Sequence, residues 1–130
     1  MRYVMLIYET EKQFDARSLS PDDPFWAAWQ SYHRALVEAG VYIGGTPLER
    51  SDTTATTVRV RGGERHVQDG PYADTKEQLG GFMMLELPTL DAALEWAARC
   101  PAAAYAAVEI RPAANLERFF GPEVGILFRG

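Results

Sequence analysis

Six consecutive apolar residues, Tyr3-Val4-Met5-Leu6-Ile7-Tyr8, stand almost at the start of the chain. A strand sends successive side chains to opposite faces, so this run is apolar on both: Tyr3, Met5 and Ile7 on one side, Val4, Leu6 and Tyr8 on the other. Residues 80–87 repeat the property, with Phe82 and Met84 set against Met83, Leu85 and Leu87. Strands of this kind belong in the middle of a sheet, and both of their faces must be covered. That requirement restricts the fold more than any other feature of the sequence.

The remaining elements follow from caps and periodicity. Residues 9–23 are polar and are expected to connect the first strand to a helix with Asp23 as N-cap and Pro24 at its first position. Phe25, Trp29, Tyr32, Leu36 and Ala39 recur at helical spacing and define its buried stripe, and Gly40 ends it. A short strand is expected over 41–43, broken by Gly44-Gly45, and a hairpin over 53–61 and 64–68 around Gly62-Gly63. After the strand at 80–87, Thr89 caps a second helix with Leu90, Leu94 and Ala97 as its apolar stripe, stopped by Pro101. Residues 106–111 form the last strand.

This order predicts an α+β fold, a ferredoxin-like βαββαβ unit with a β-hairpin inserted between its halves. Right-handed crossovers put both helices on one face of the sheet. The other face is then left as an apolar patch, and such patches mark interfaces. A homodimer packed sheet to sheet is therefore expected.

Composition excludes several classes. A length of 130 residues with 47% hydrophobic content suits one domain. With 13 basic against 18 acidic side chains, the net charge of −5 offers no footprint for nucleic-acid phosphates, so no direct nucleic-acid partner is expected. Cys100 stands alone, which rules out an intrachain disulfide and cysteine-pair metal sites. No run approaches the roughly 18 apolar residues that span a bilayer, and the N-terminal run lacks a cleavage-site pattern. The expectation is a cytoplasmic protein with no membrane partner. His33 and His66 lack metal-ligand spacing, so no metal is assigned. The pairs Gly44-Gly45 and Gly80-Gly81 lack the companions of a phosphate loop and read as bulges, so no cofactor is assigned either. Ser18, Ser31 and Ser51 sit in no nucleophile elbow.

The candidate site is the segment 69–77. Asp69, Gly70, Pro71, Tyr72, Thr75, Lys76 and Glu77 offer acids, a cation and hydroxyls to a small polar ligand. Read for catalysis, Asp69 or His33 is the base and Lys76 steadies developing negative charge. Read structurally, the same residues shape a turn and make solvated ion pairs. His33 falls roughly 80° from the centre of the helical stripe, at the border of the core. Trp26, Trp29 and Trp96 with Tyr8, Tyr32 and Tyr42 either line an aromatic pocket or pack the core. Glu109 and Arg111 alternate on the last strand and share one face.

The segments Tyr3-Val4-Met5-Leu6-Ile7-Tyr8, Glu38-Ala39-Gly40-Val41, Thr54-Ala55-Thr56-Thr57-Val58-Arg59, Val67-Gln68-Asp69-Gly70-Pro71-Tyr72-Ala73-Asp74-Thr75-Lys76-Glu77-Gln78-Leu79-Gly80-Gly81-Phe82 and Ala92-Ala93-Leu94-Glu95-Trp96-Ala97 resemble the YCII-related proteins with a DGPF motif. Tyr72 departs from the Phe of that motif, and Asp74 stands where Glu is expected. The resemblance covers 1–112, leaving 113–130 as an extension whose Phe119, Phe120, Ile126, Leu127 and Phe128 are expected to dock on the domain or on a dimer partner. It implies a dimeric α+β barrel; with the segment 69–77, the expectation is a small molecule bound in a dimer-supported cleft near those residues. For chemistry it implies little beyond proton transfer or elimination, a lyase-like activity. Other YCII-like proteins are credited with a His–Asp pair, but that His falls about three turns before Gly40, at Trp29 or its neighbours, and His33 comes a turn too late. The resemblance also implies a rival, non-catalytic reading, an accessory or regulatory protein linked to an extracytoplasmic-function sigma factor.

Overall fold

The computed structural model describes residues 1–17 and 20–122. Its elements in chain order are β1 (Arg2–Thr10), α1 (Glu11–Asp15), α2 (Pro24–Glu38), β2 (Tyr42–Pro47), α3 (Ser51–Thr54), β3 (Thr56–Arg61), β4 (Glu64–Asp69), β5 (Glu77–Glu86), α4 (Leu90–Arg99), α5 (Ala102–Tyr105), β6 (Ala107–Pro112) and α6 (Leu116–Phe120). The main sheet has the order β2-β5-β1-β6, with every neighbouring pair antiparallel. With the β3–β4 hairpin set aside as a separate two-stranded sheet, this is the ferredoxin-like arrangement, open rather than closed into a barrel.

The two apolar strands take the two central places, β5 and β1. Tyr3, Met5 and Ile7 of β1 and Met83 and Leu85 of β5 face the helices and are buried with Tyr32 and Leu36 of α2, Ala93 and Ala97 of α4, Cys100 and Ala102. Val4, Leu6 and Tyr8 alternate onto the opposite face, where they are half-buried together with Phe82 and Met84. The cross-strand register sets Leu6 between Phe82 and Glu109, and Val4 between Met84 and Arg111.

Several local readings hold and others need correction. Asp23 caps α2, its carboxylate accepting from Phe25 N at 2.9 Å, and Thr89 caps α4 by accepting from Ala92 N at 3.1 Å. Gly62 and Gly63 have φ of 58° and 77°, the double positive φ of a tight hairpin turn. The segment 9–23 is not all connection. Glu9 still belongs to β1, and Thr10 opens α1 through a capping box in which Thr10 N donates to Gln13 Oε1 at 2.8 Å and Gln13 N to Thr10 Oγ1 at 3.3 Å.

The stripe of α4 is rotated from the expected one. Leu90 and Leu94 are each 51% exposed, while Ala93 and Ala97 are buried. Alanines on the inner side let the helix backbone lie close to the sheet, which places the larger leucines outside. Ala39 at the end of α2 is likewise exposed. The strand expected to break at Gly44-Gly45 runs through both to Pro47, its register shifting between Tyr42 and Gly44.

Of the extension, Ala113 N bonds Arg2 O at 2.9 Å and Glu117 of α6 takes the Arg2 guanidinium at 3.1 Å. Phe119 and Phe120 are exposed. Ser18, Ile126, Leu127 and Phe128 lie outside the described residues. Among the described residues no helix is long and apolar enough to cross a membrane.

Candidate functional site

A cavity of about 600 Å³ lies between α2 and the helix-facing side of the sheet. That is the size of a small-molecule site. Trp26, Trp29, Tyr32 and His33 of α2 form one wall, and Tyr42, Gly45, Thr46 and Pro47 of β2 form another. Ile7 and Glu9 of β1 with Gly80, Gly81 and Met83 of β5 make the floor, and Phe25 and Tyr105 also line the cavity.

The floor depends on a bulge. Ile7 pairs with Gly81 but Tyr8 with Leu79, so Gly80 is an extra residue in β5. A Cβ on Gly80 would run into Glu9 Oε1 and lie 2.9 Å from Arg17 Nη2, and one on Gly81 would lie 3.1 Å from Thr46 O. The missing side chain of Gly80 makes room for a charged pair, and that of Gly81 for the close approach of β2.

That pair is Glu9 with Arg17. Glu9 continues the inward alternation of Tyr3, Met5 and Ile7 and is 1% exposed. Its Oε1 accepts from Arg17 Nη2 in a short ion pair. Arg17 also donates through Nη1 to Leu48 O at 2.6 Å and through Nη2 to Gly80 O at 2.8 Å, and its guanidinium lies 4.6 Å from the centre of the Phe14 ring. Glu9 Oε2 has no hydrogen-bond partner among the described residues. Such a buried unsatisfied acceptor costs about 1–3 kcal/mol, and stripping a buried pair of one partner typically costs about 3–5 kcal/mol. The fold therefore sustains a cost at the cavity floor that packing alone would not select.

The aromatic wall is built in contact with this charge. The Tyr105 hydroxyl is shifted upward in pKa, first by burial and then by the negative charge of Glu9, with a hydrogen bond from Trp29 acting in the opposite sense. The Gln13 side-chain amide donates to Tyr105 O and ties α1 to this end of the cavity. Tyr32 donates its hydroxyl to Trp96 O at 2.7 Å, and burial raises its pKa as well.

A model of the YCII-related domain matches residues 1–116. The chain belongs to the YCII-related family. An uncharacterized protein of Rhizobium meliloti (strain 1021) is 38% identical over 97 residues, which is 75% of this chain and 77% of that one. All the cavity-lining residues, from Ile7 to Tyr105, fall inside the YCII-related domain.

Of the residues singled out from sequence, His33 stands on the wall of this YCII-related cavity, exposed and edge-on to Tyr42 with ring centres 4.5 Å apart. Asp69, Gly70, Pro71, Tyr72, Thr75, Lys76 and Glu77 do not line it. Asp69 ends β4 opposite Thr56, and Gly70 ties the hairpin base through its N to Ala55 O at 2.7 Å and its O to Thr57 Oγ1 at 2.8 Å. Tyr72 is 72% exposed, beside the Arg59 guanidinium. Thr75 donates to Glu77 O at 2.5 Å, and the Gln78 amide closes the loop onto Ala73 O and Thr75 O, each at 2.8 Å. Lys76 and Glu77 are exposed. The structure thus sets Asp69 and Lys76 apart from the cavity that His33 lines.

Trp29, near which the His of other YCII-like proteins falls by resemblance, is on the wall too. Glu9 and Arg17 were missed by sequence reasoning. The signal for Glu9 was its place at the fourth inward position of β1, where the alternation calls for an apolar residue. For Arg17 there was none, since its partners are brought in from residues 48 and 80.

Proposed function

We propose that this YCII-related protein binds a small, mainly aromatic molecule in the cavity beneath α2. The observation that carries this reading is a ligand-sized cavity with walls of Trp26, Trp29, Phe25, Tyr42 and Tyr105 around a buried Glu9–Arg17 pair. Apolar walls with few polar groups are the general composition of small-molecule sites. For proton transfer or elimination on a bound molecule, the groups on the wall able to move protons are the Glu9 carboxyl and the His33 imidazole. Asp69-Gly70-Pro71-Tyr72 supports placing the chain in the DGPF type of the family.

The test is a fragment screen by amide and indole N–H shifts in a labelled sample. Aromatic fragments are expected to move the Trp26 and Trp29 indole signals together with His33. Shifts confined to the loop 69–77 would sink this reading and restore the loop as the site.

The same proposal includes a homodimer through the open sheet face. Val4, Leu6, Phe82 and Met84 give that face an apolar centre, and Glu109 and Arg111 of β6 flank it. A two-fold interface must be self-complementary, and an acid and a base side by side on one strand let a second copy set Glu109 against Arg111. Such pairing joins two open sheets into the dimeric α+β barrel.

A further inference from the structure

We infer that the molecule held in the cavity presents an uncharged hydrogen-bond donor, an O–H or N–H on an aromatic body, to Glu9 Oε2. The inference rests on the small-molecule reading above and names the ligand class for that site.

Three observations converge on it. The first is the buried Oε2 itself, an acceptor with no partner among the described residues, on a side chain that lines the cavity and is 1% exposed. The second is that three hydroxyls of the walls are already used. Tyr32 donates to Trp96 O at 2.7 Å, Thr46 to Pro47 O at 3.0 Å and Tyr42 to Gly45 O at 3.4 Å. Arg17, the cation nearest Oε2, spends its two terminal nitrogens on Leu48 O, Gly80 O and Glu9 Oε1. The unpartnered buried polar atom at this end is thus an acceptor, Oε2. A carboxylate or phosphate placed there would face Oε2 with nothing to neutralise it.

The third is charge balance. Arg17 already offsets Glu9, so an ammonium group at Oε2 would bring a second positive charge beside that guanidinium, where like charges repel. A neutral donor adds no charge, yet its bond to a carboxylate is of the stronger, charge-assisted kind. His33 and Arg34 stand on α2 where both are exposed, so a second polar group on the ligand would meet donors at the mouth.

Calorimetric titration of the full chain at pH 7 with three naphthalenes isolates the one atom in question. 2-Naphthol is expected to bind at least about tenfold more tightly than 2-methoxynaphthalene, a difference of about 1.4 kcal/mol, and 2-naphthoate more weakly than either. In Glu9→Leu the advantage of the naphthol over its methyl ether disappears. Equal binding of naphthol and ether to the native protein overturns the donor inference and leaves the cavity reading intact, as does preference for the naphthoate. Failure of all three to bind overturns both. Because the native comparison needs no variant, the test stands even if Glu9→Leu does not fold.

Discussion

Glu9 occupies a position that strand alternation assigns to the core, and the structure keeps it there by giving it Arg17 on one oxygen and an absent side chain at Gly80 beside it. Cys100 is the apolar counterpart, a small buried residue with no role in the cavity. Burial pushes its thiol up to about 11, against bonds from the Ala102 and Ala103 backbone that act the other way. In the unfolded chain a thiol ionises at about 8.5. Folded and unfolded chains both hold the proton below that pH; above it the unfolded chain releases a proton that the folded one keeps. Stability then falls as pH rises from about 8.5 and levels above about 11. Urea unfolding at pH 7.5 and 10.5 should show the native protein losing roughly 2 kcal/mol more than Cys100→Ala over that interval. Equal losses would mean that the thiol does not titrate as a buried group. Burial of Tyr3, Met5, Ile7 and Leu36 was legible in the sequence because periodicity alone assigns it. The Glu9–Arg17 pair was not, because its geometry depends on a bulge and on a carbonyl contributed from residue 48.

Elements follow the same division. Where α2 and α4 begin was readable, since Asp23 and Thr89 cap their own helices within three residues. Asp23→Ala should cost about 1 kcal/mol by removing the bond to Phe25 N, seen as a lower urea midpoint at unchanged slope, whereas Asp23→Asn should remain near native. An unaltered midpoint in the alanine variant would show that Pro24 alone starts the helix. Which side of α4 faces inward was not readable. Leu94 and Ala93 are both apolar, and the choice between neighbouring stripes is made by how close the helix lies to the sheet, a property of the packed pair. The hairpin was placed by Gly62-Gly63, but its exposure was not foreseen: Val58, Val60 and Val67 are each 57% exposed. The charged loop 69–77 drew attention by composition, while the cavity arises from residues scattered between positions 7 and 105.

For the whole molecule, the two-faced strands carried most of what could be foreseen, namely an antiparallel α+β sheet with helices on one side. If the open face pairs with a second copy, sedimentation should give twice the 14.5 kDa of the chain. Leu6→Glu or Phe82→Glu should then reduce the mass to that of one chain, and Leu94→Glu, on the outer side of α4, should leave it doubled. A single-chain mass for the native protein at micromolar concentration would remove the dimer. The cavity meanwhile is assembled from two kinds of material. Its polar end depends on Glu9, Arg17 and the extra residue Gly80, none of which can change alone without cost. Its mouth is the exposed side of α2, with Gln30, His33, Arg34 and Val37, where a substitution usually shifts stability by no more than about 0.5 kcal/mol. If the cavity holds a ligand as proposed, mutation can redraw its entrance over generations while the means of gripping what enters is inherited unchanged, leaving a lineage built on this plan free to diversify its diet without refolding.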